Sequence, residues 1–346
     1  MHSKFLASLT RGHRVVSAFI AGIGMATALG GCSRADTPPE CSFFSNVCNP
    51  NVGPWQPLAA AWVTPQRISA QVGATVVFRA ETVGVDNPAF QWRRSTDGGQ
   101  SHTDIAGATG ASYTLAGANL GDDGALFLVE VRDRSGSVVA TGSGSLVVSS
   151  MPAVVFQDGE FLATDWSVSA ITSPVQNGPA HSETLTATGG NPGAYRSMTH
   201  EMSTGSSSLR VIHRHQNASY NPTSLGAIYV IDYTEDCIRL NAAVTDRLVD
   251  SSLLIEQAGR RYVAKTPNFC ASTRWDAMPT RSGLGSRDFT ILDGPACASN
   301  EACPDFSGNA QPLHFGFVRS AELAASSAAV SIAHGIDNWK VTVWRR

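Results

Sequence analysis

Several chemistries can be set aside because this 346-residue chain lacks the residues they need. None of its seven cysteines form a CxxC, so neither a dithiol redox centre nor a cysteine-rich zinc site is indicated. There is no GxSxG and no HExxH, and the glycines of GGNPGA (189–194) follow polar residues instead of joining a strand to a helix, which argues against a phosphate-binding loop. They read better as a tight loop where only a backbone without Cβ fits. Basic clusters are missing, and 25 Lys and Arg against 28 Asp and Glu give a formal charge of -3, which argues against nucleic acid as a partner. No apolar run reaches the roughly 20 residues that span a bilayer, because the longest candidate, 15–31, is short and rich in Gly and Ala.

What stands at the N-terminus is informative. Residues 1–31 carry Lys4, Arg11 and Arg14 and no acidic residue around that weakly polar run, the layout of an export signal. The stretch Leu29-Gly30-Gly31-Cys32 resembles the lipobox of bacterial lipoproteins, which implies cleavage before Cys32 and lipidation of its thiol. With Ser33 after the cysteine, the resemblance implies an outer-membrane lipoprotein held by a lipid anchor; the alternatives are a plain cleaved signal, which leaves the chain otherwise exported, and a retained anchor, and none of these is cytoplasmic. Losing the leader leaves 22 basic against 28 acidic residues, a net charge of -6. Parity agrees with an oxidising compartment, because setting Cys32 aside leaves Cys41, Cys48, Cys237, Cys270, Cys297 and Cys303, enough for three disulfides. Cys41 and Cys48 are the pair in the linker, 32–57; the last four allow three connectivities, among them Cys237–Cys270 with Cys297–Cys303.

The remainder is longer than one core usually organises, so two domains are expected, 58–150 and 152–346. In the first, TVVFRAE (75–81), AFQWRRS (89–95), SYTL (112–115), ALFLVEVRD (125–133) and SLVVSS (145–150) read as short strands between Gly, Asp and Asn turns. The order VTPQRISAQVGATVVFRA, FQWRRSTDGG, IAGATGASYTLAGANLGDDGALFLVEVRD resembles a bacterial immunoglobulin-like domain. Ala80 and Val129 stand where that family places its bridging cysteines, so apolar packing of Phe78, Trp92, Phe127 and Val129 is expected to join the sheets. Such a sandwich indicates a fold and not a task, and a spacer is the role it suggests.

The second domain offers strands at 206–215, 226–235, 252–259, 260–265, 312–320 and 339–346, suiting a larger all-β double sheet. FQDGEF (156–161), GGNPGAYR (189–196), GAIYVIDYTED (226–236), PDFS (304–307), HFGFVRS (314–320) and HGIDNWKVTVW (334–344) resemble the layout of concanavalin-like, laminin-G-like and carbohydrate-binding jelly rolls. That likeness implies a structural Ca2+ between Asp158 or Glu160 and Asp337; the alternative is that Asp337-Asn338 caps a turn through backbone hydrogen bonds.

Three chemistries bear on this domain. VIDYTE (230–235) matches the ExDxxE strand motif of laminarinase-type glycosidases at Asp232 and Glu235, but Val230 stands where the nucleophile must be and cannot form a glycosyl ester. Asp232, Glu235 and Asp236 are then expected to line a polar groove or a turn. His213 and His215 share a strand face and could meet zinc, though a solvent-facing position is the simpler reading. Aromatic rings are the remaining resource, because a ring gives a sugar flat apolar area beside a polar edge. Among Trp166, Tyr195, Tyr220, Tyr229, Trp275 and Trp339, Tyr195 and Trp275 sit beside Gly, Asn or Arg in expected loops and rank first. The expectation is a non-catalytic surface module for carbohydrate or another surface polymer on an immunoglobulin-like spacer. A structural or protein-adhesion role with another envelope protein is the first alternative and a polysaccharide-degrading enzyme the second.

Overall fold

Alternation of apolar and polar residues in short runs dictates strands, and the chain is nearly all β. The computed structural model describes residues 58–241, 249–292 and 303–346. The leader, Cys32, Cys41, Cys48 and Cys297 lie outside the described residues.

The first lobe contains β1 (Ala60–Thr64), β2 (Arg67–Gln71), β3 (Val76–Val83), β4 (Ala89–Ser95), β5 (Thr103–Asp104), β6 (Ser112–Leu115), β7 (Leu126–Arg132) and β8 (Val138–Ser149). They form a three-stranded sheet, β1-β3-β6, and a five-stranded sheet, β2-β8-β7-β4-β5, in which β2 runs parallel to β8. The four core residues expected from sequence, Phe78, Trp92, Phe127 and Val129, are all 0% exposed. Phe127 stacks on Phe78 at 5.0 Å and on Tyr113 at 5.5 Å, so a ring cluster does the joining that a disulfide would do. Burying each such ring stabilises the fold by about 1.5–3 kcal/mol. The pattern needs glycine at 144, because a Cβ there would lie 2.8 Å from the Phe78 ring.

The second lobe contains β9 (Val154–Asp158), β10 (Trp166–Ser173), β11 (Ala180–Gly190), β12 (Gly193–Met202), β13 (Ser207–Tyr220), β14 (Ile228–Arg239), β15 (Val249–Gln257), β16 (Arg260–Ala264), β17 (Asn268–Cys270), β18 (Asp276–Ala277), β19 (Arg281–Leu284), β20 (Phe289–Ile291), β21 (Leu313–Leu323) and β22 (Val330–Arg345). One seven-stranded sheet runs β10-β13-β21-β15-β16-β20 with β17 on β15, and the other runs β11-β12-β22-β14-β18 with β19 on β14 and β9 on β22. Their inner faces enclose Trp166, Phe315, Phe317, Trp339 and Val341. A second, smaller apolar cluster holds Met202, Leu209, Val211 and Leu323.

Polar side chains also occupy the interior. Arg196 and His200 on β12, Glu235 on β14, His213 on β13, Arg319 on β21 and His334 on β22 are all buried. Arg319 pairs with Glu235 through both terminal nitrogens at 3.3 Å, and the Tyr233 hydroxyl donates to Glu235 at 2.6 Å. Burial is the main cause that depresses all three imidazoles, with His200 held at about 3.

Among the described residues no strand ladder joins the lobes, but side chains do. Arg67 donates to the Gly283 carbonyl at 2.7 Å, Tyr229 donates to Asp123 at 2.7 Å, and Ser149 donates to the Arg345 carbonyl at 2.7 Å.

Candidate functional site

The outer face of β12, β22 and β14 gathers the residues with the most usable chemistry. On β12 the period of two buries Arg196, Met198 and His200 and turns Tyr195 to the other face. Tyr195 lies over Gly335 of β22, where a Cβ would come within 2.9 Å of the tyrosine ring and of Ile238. Trp275 meets Tyr195 edge-on, with centroids 5.2 Å apart and planes at 81°. Its indole N–H donates to the Gly189 carbonyl at 2.7 Å.

Trp275 is held from three directions. A disulfide joins Cys237 to Cys270, the Arg239 N–H donates to the Ser272 carbonyl at 2.7 Å, and β18 immediately after Trp275 pairs with Asp236 and Cys237 of β14. Cys303 is also disulfide-bonded. The β11–β12 connection closes the corner: Gly189 and Gly193, at φ of +89° and +90°, make the turn that carries Asn191. The Asn191 side chain donates to Asp236 at 3.0 Å, and the Asn338 side chain donates to Asp236 at 2.6 Å and to the Asn191 carbonyl at 2.6 Å. Two half-buried rings thus stand beside an accessible carboxylate and two exposed amides. Such a corner offers flat apolar area together with directional donors and acceptors.

Beneath the surface lies Asp337, whose carboxylate accepts the N–H groups of Asn191 and Asn338. Burial is the largest cause raising its pKa, with Asp236 and Glu160 adding to it. Asp158 accepts from the N–H groups of Glu160 and Phe161 on one oxygen and from the Trp166 indole on the other, at 2.6 Å. These carboxylates therefore serve as acceptors for loop and indole N–H groups. Among the described residues no group of three or more His, Cys, Asp or Glu is arranged to hold a metal ion.

The other expected site residues are dispersed. Asp232 accepts from Ser69 at 2.8 Å, from the Gly283 N–H at 2.6 Å and from the Trp344 indole at 2.8 Å, so it joins the lobes and lines no groove. Burial raises its pKa, against the pull of those hydrogen bonds. Glu235 faces the interior and Arg319, which corrects the expectation that it borders solvent. His213 also corrects expectation, because it stacks on Phe317 at 4.3 Å inside the sandwich. His215 stacks on Trp339 at 5.5 Å beside Asp158. Of the six aromatics considered, Trp166, Tyr220 and Trp339 are core, and Tyr229 sits between the lobes under Arg346. Only Tyr195 and Trp275 remain on a polar outer face.

Sequence reasoning placed Asp236 in a polar groove or a turn but missed Asn191 and Asn338 as its hydrogen-bond donors. The only available signal was that each falls next to a residue already singled out. No helix among the described residues is long and apolar enough to cross a membrane. Neither a protein-family model nor a characterised protein matches the chain.

Proposed function

We propose that the second lobe is a non-catalytic binding module for carbohydrate or a similar hydroxyl-rich surface polymer, of the jelly-roll kind, carried by an immunoglobulin-like spacer on an exported chain anchored through lipidated Cys32. One observation carries this reading: the Tyr195–Trp275 corner, bordered by Asp236, Asn191 and Asn338. A pyranose ring has an apolar face that packs on an aromatic ring, and its neighbouring hydroxyls donate to a carboxylate and accept from amides. The carboxylates that a hydrolase reading would use, Asp232 and Glu235, are engaged by protein donors in two separate buried environments.

The test is a glycan-array screen of the full chain, with calcium and with chelator. Binding to a defined glycan class, lost about tenfold or more in W275A and in D236N while the circular dichroism spectrum is kept, is the expected result. Undiminished binding by both variants would place any glycan site elsewhere. No binding by a folded sample would turn the reading toward adhesion to another envelope protein.

A further inference from the structure

A second feature lies on the other sheet of this lobe, on the face turned away from the core. Strand alternation sends His213, Phe317 and Leu253 inward and sends Ile212, Arg214, Val318, Leu254 and Glu256 to this far side. There Ile212, Leu254, Val318 and Leu292 form an apolar floor. Two cavities share Glu256 and Arg261 as lining residues, one of about 700 Å³ and one of about 270 Å³. The larger runs past Arg260, Leu292, Gln311 and His314, and the smaller past Ser167, Ser169 and Arg214.

The charge arrangement here is unusual for a chain of net charge -3. Arg260 has a partner of its own, and Arg214, Arg260 and Arg261 line the two cavities around Glu256. Register explains how two of them meet it. Glu256 lies directly opposite Arg261 on β16, while Arg214 stands opposite Gly316 on β21. Gly316 admits no side chain, because a Cβ would lie 2.0 Å from the His213 carbonyl oxygen, so nothing stands between Arg214 and β15. Arg261 donates to Glu256 from Nε at 2.8 Å, and the Arg214 Nε makes an ion-pair contact with it at 3.2 Å without a hydrogen bond. Both contacts use the inner nitrogen of the guanidinium, and the terminal nitrogens of Arg214 and Arg261 have no protein acceptor among the described residues. The Arg261 fork is therefore hydrogen-bonded at its base and the Arg214 fork is paired there by charge, and both are unengaged at the end that binds planar anions in pairs of hydrogen bonds. His314 is kept toward its neutral form, first by burial and then by Arg214, and its Nδ1 is buried without a partner.

We propose that this groove binds a glycan chain bearing carboxylates, with the uronate groups on the Arg214 and Arg261 forks and the sugar hydroxyls on Ser167, Ser169 and Gln311. Its open shape and shared wall suit a chain that continues through both cavities. Ile212 and Leu292, buried under the groove, back its wall, and the Arg214 and Arg261 forks select acidic residues over neutral ones. This site is separate from the Tyr195–Trp275 corner and stands whether or not that corner takes a sugar.

The experiment is calorimetric titration of the full chain with tetragalacturonate and with its fully methyl-esterified form, at about 20 and about 300 mM NaCl. The acid form is expected to bind at least about tenfold tighter than the ester and to weaken about tenfold at the higher salt. R214Q/R261Q should lower affinity for the acid form about 100-fold, about tenfold for each fork removed. R261Q alone, at a side chain 42% exposed, should lower it about tenfold and keeps the test readable if the double variant misfolds. E256Q removes the competing carboxylate and should tighten binding severalfold, whereas a residue with a purely structural role would weaken it. W275A should leave this affinity unchanged. Equal binding of acid and ester, no binding of the acid, or undiminished binding by R261Q in a folded sample would each overturn the proposal. Binding confined to a sulfated oligosaccharide or to polyglutamate would overturn the assignment to a carboxylated glycan.

Discussion

Acidification from pH 7.5 to 5.5 should cost this fold several kcal/mol, and the interior of the second lobe shows why. His200 and His334 meet edge-to-face at 4.8 Å, and neither ring has a partner for either nitrogen. His213 receives a contact from Arg196 at 3.3 Å on Nδ1, while its Nε2 is unpartnered. Burial is the largest cause that lowers all three, and the fully buried Arg319 adds repulsion against any proton they acquire. His200 falls to about 3, and His213 and His334 lie well below the ordinary value of 6.5. In the unfolded chain each imidazole takes up a proton as pH drops through about 6.5, whereas in the folded chain it does not, so the unfolded state gains at low pH. At pH 5.5 each histidine costs about 1.4 kcal/mol, and three cost about 4 kcal/mol, against about 5–15 kcal/mol for a typical domain. Stability is thus complete above pH 6.5 and is lost steadily as pH falls toward the folded values. Asp250 acts in the opposite sense, because burial and Glu322 raise it to about 6 and its protonation favours the folded state. Asp232 and Asp337, raised by burial, act in the same direction as Asp250. Urea denaturation at both pH values measures the balance, and H200L/H334L isolates the imidazoles. The double variant should lose about 3 kcal/mol less than the wild type over this interval. An equal loss in both proteins would refute the reasoning.

Other perturbations follow from single contacts. D232A leaves the Trp344 indole, the Gly283 N–H and the Ser69 hydroxyl without their acceptor, and should destabilise by about 2–4 kcal/mol in urea melts. E235A strands the Arg319 guanidinium, 0% exposed, at a cost of about 3–5 kcal/mol, whereas E235M/R319M should cost less than E235A alone in the same melts. The Cys237–Cys270 disulfide closes a separation of 33 residues, so C237S/C270S should lose about 3–4 kcal/mol by thermal denaturation and loosen Trp275, read as a red-shifted, more quenchable tryptophan emission.

Much of the first lobe was legible because its strands alternate cleanly and are bounded by turn residues. The expected strand at 112–115 coincides with β6, and that at 89–95 coincides with β4. In the second lobe the sequence pattern shows β13, β14, β15, β16, β21 and the end of β22 but not β9, β10, β11 or β12, and β11, AHSETLTATGG, illustrates the reason. An edge strand made of Ser, Thr and Gly carries little apolar period, and its neighbour β12 supplies the pairing that makes it a strand. Tyr195 and Trp275 were singled out one by one, 80 positions apart, and nothing local revealed that they touch.

The alternating pattern and the cysteine count determined an all-β chain, with Phe78, Trp92, Phe127 and Val129 in its first core and Cys237–Cys270 among the disulfides open to it. Period two states which residues share a face, but it does not state which face meets the core or which strands become neighbours. Tertiary structure alone decided that. It put His213 and Glu235 inside the sandwich and Asp232 between the lobes. It brought Asp236 to the aromatic corner, and it aligned Arg214, Glu256 and Arg261 across three strands, because pairing partners in a sheet are set by the packing of both its faces.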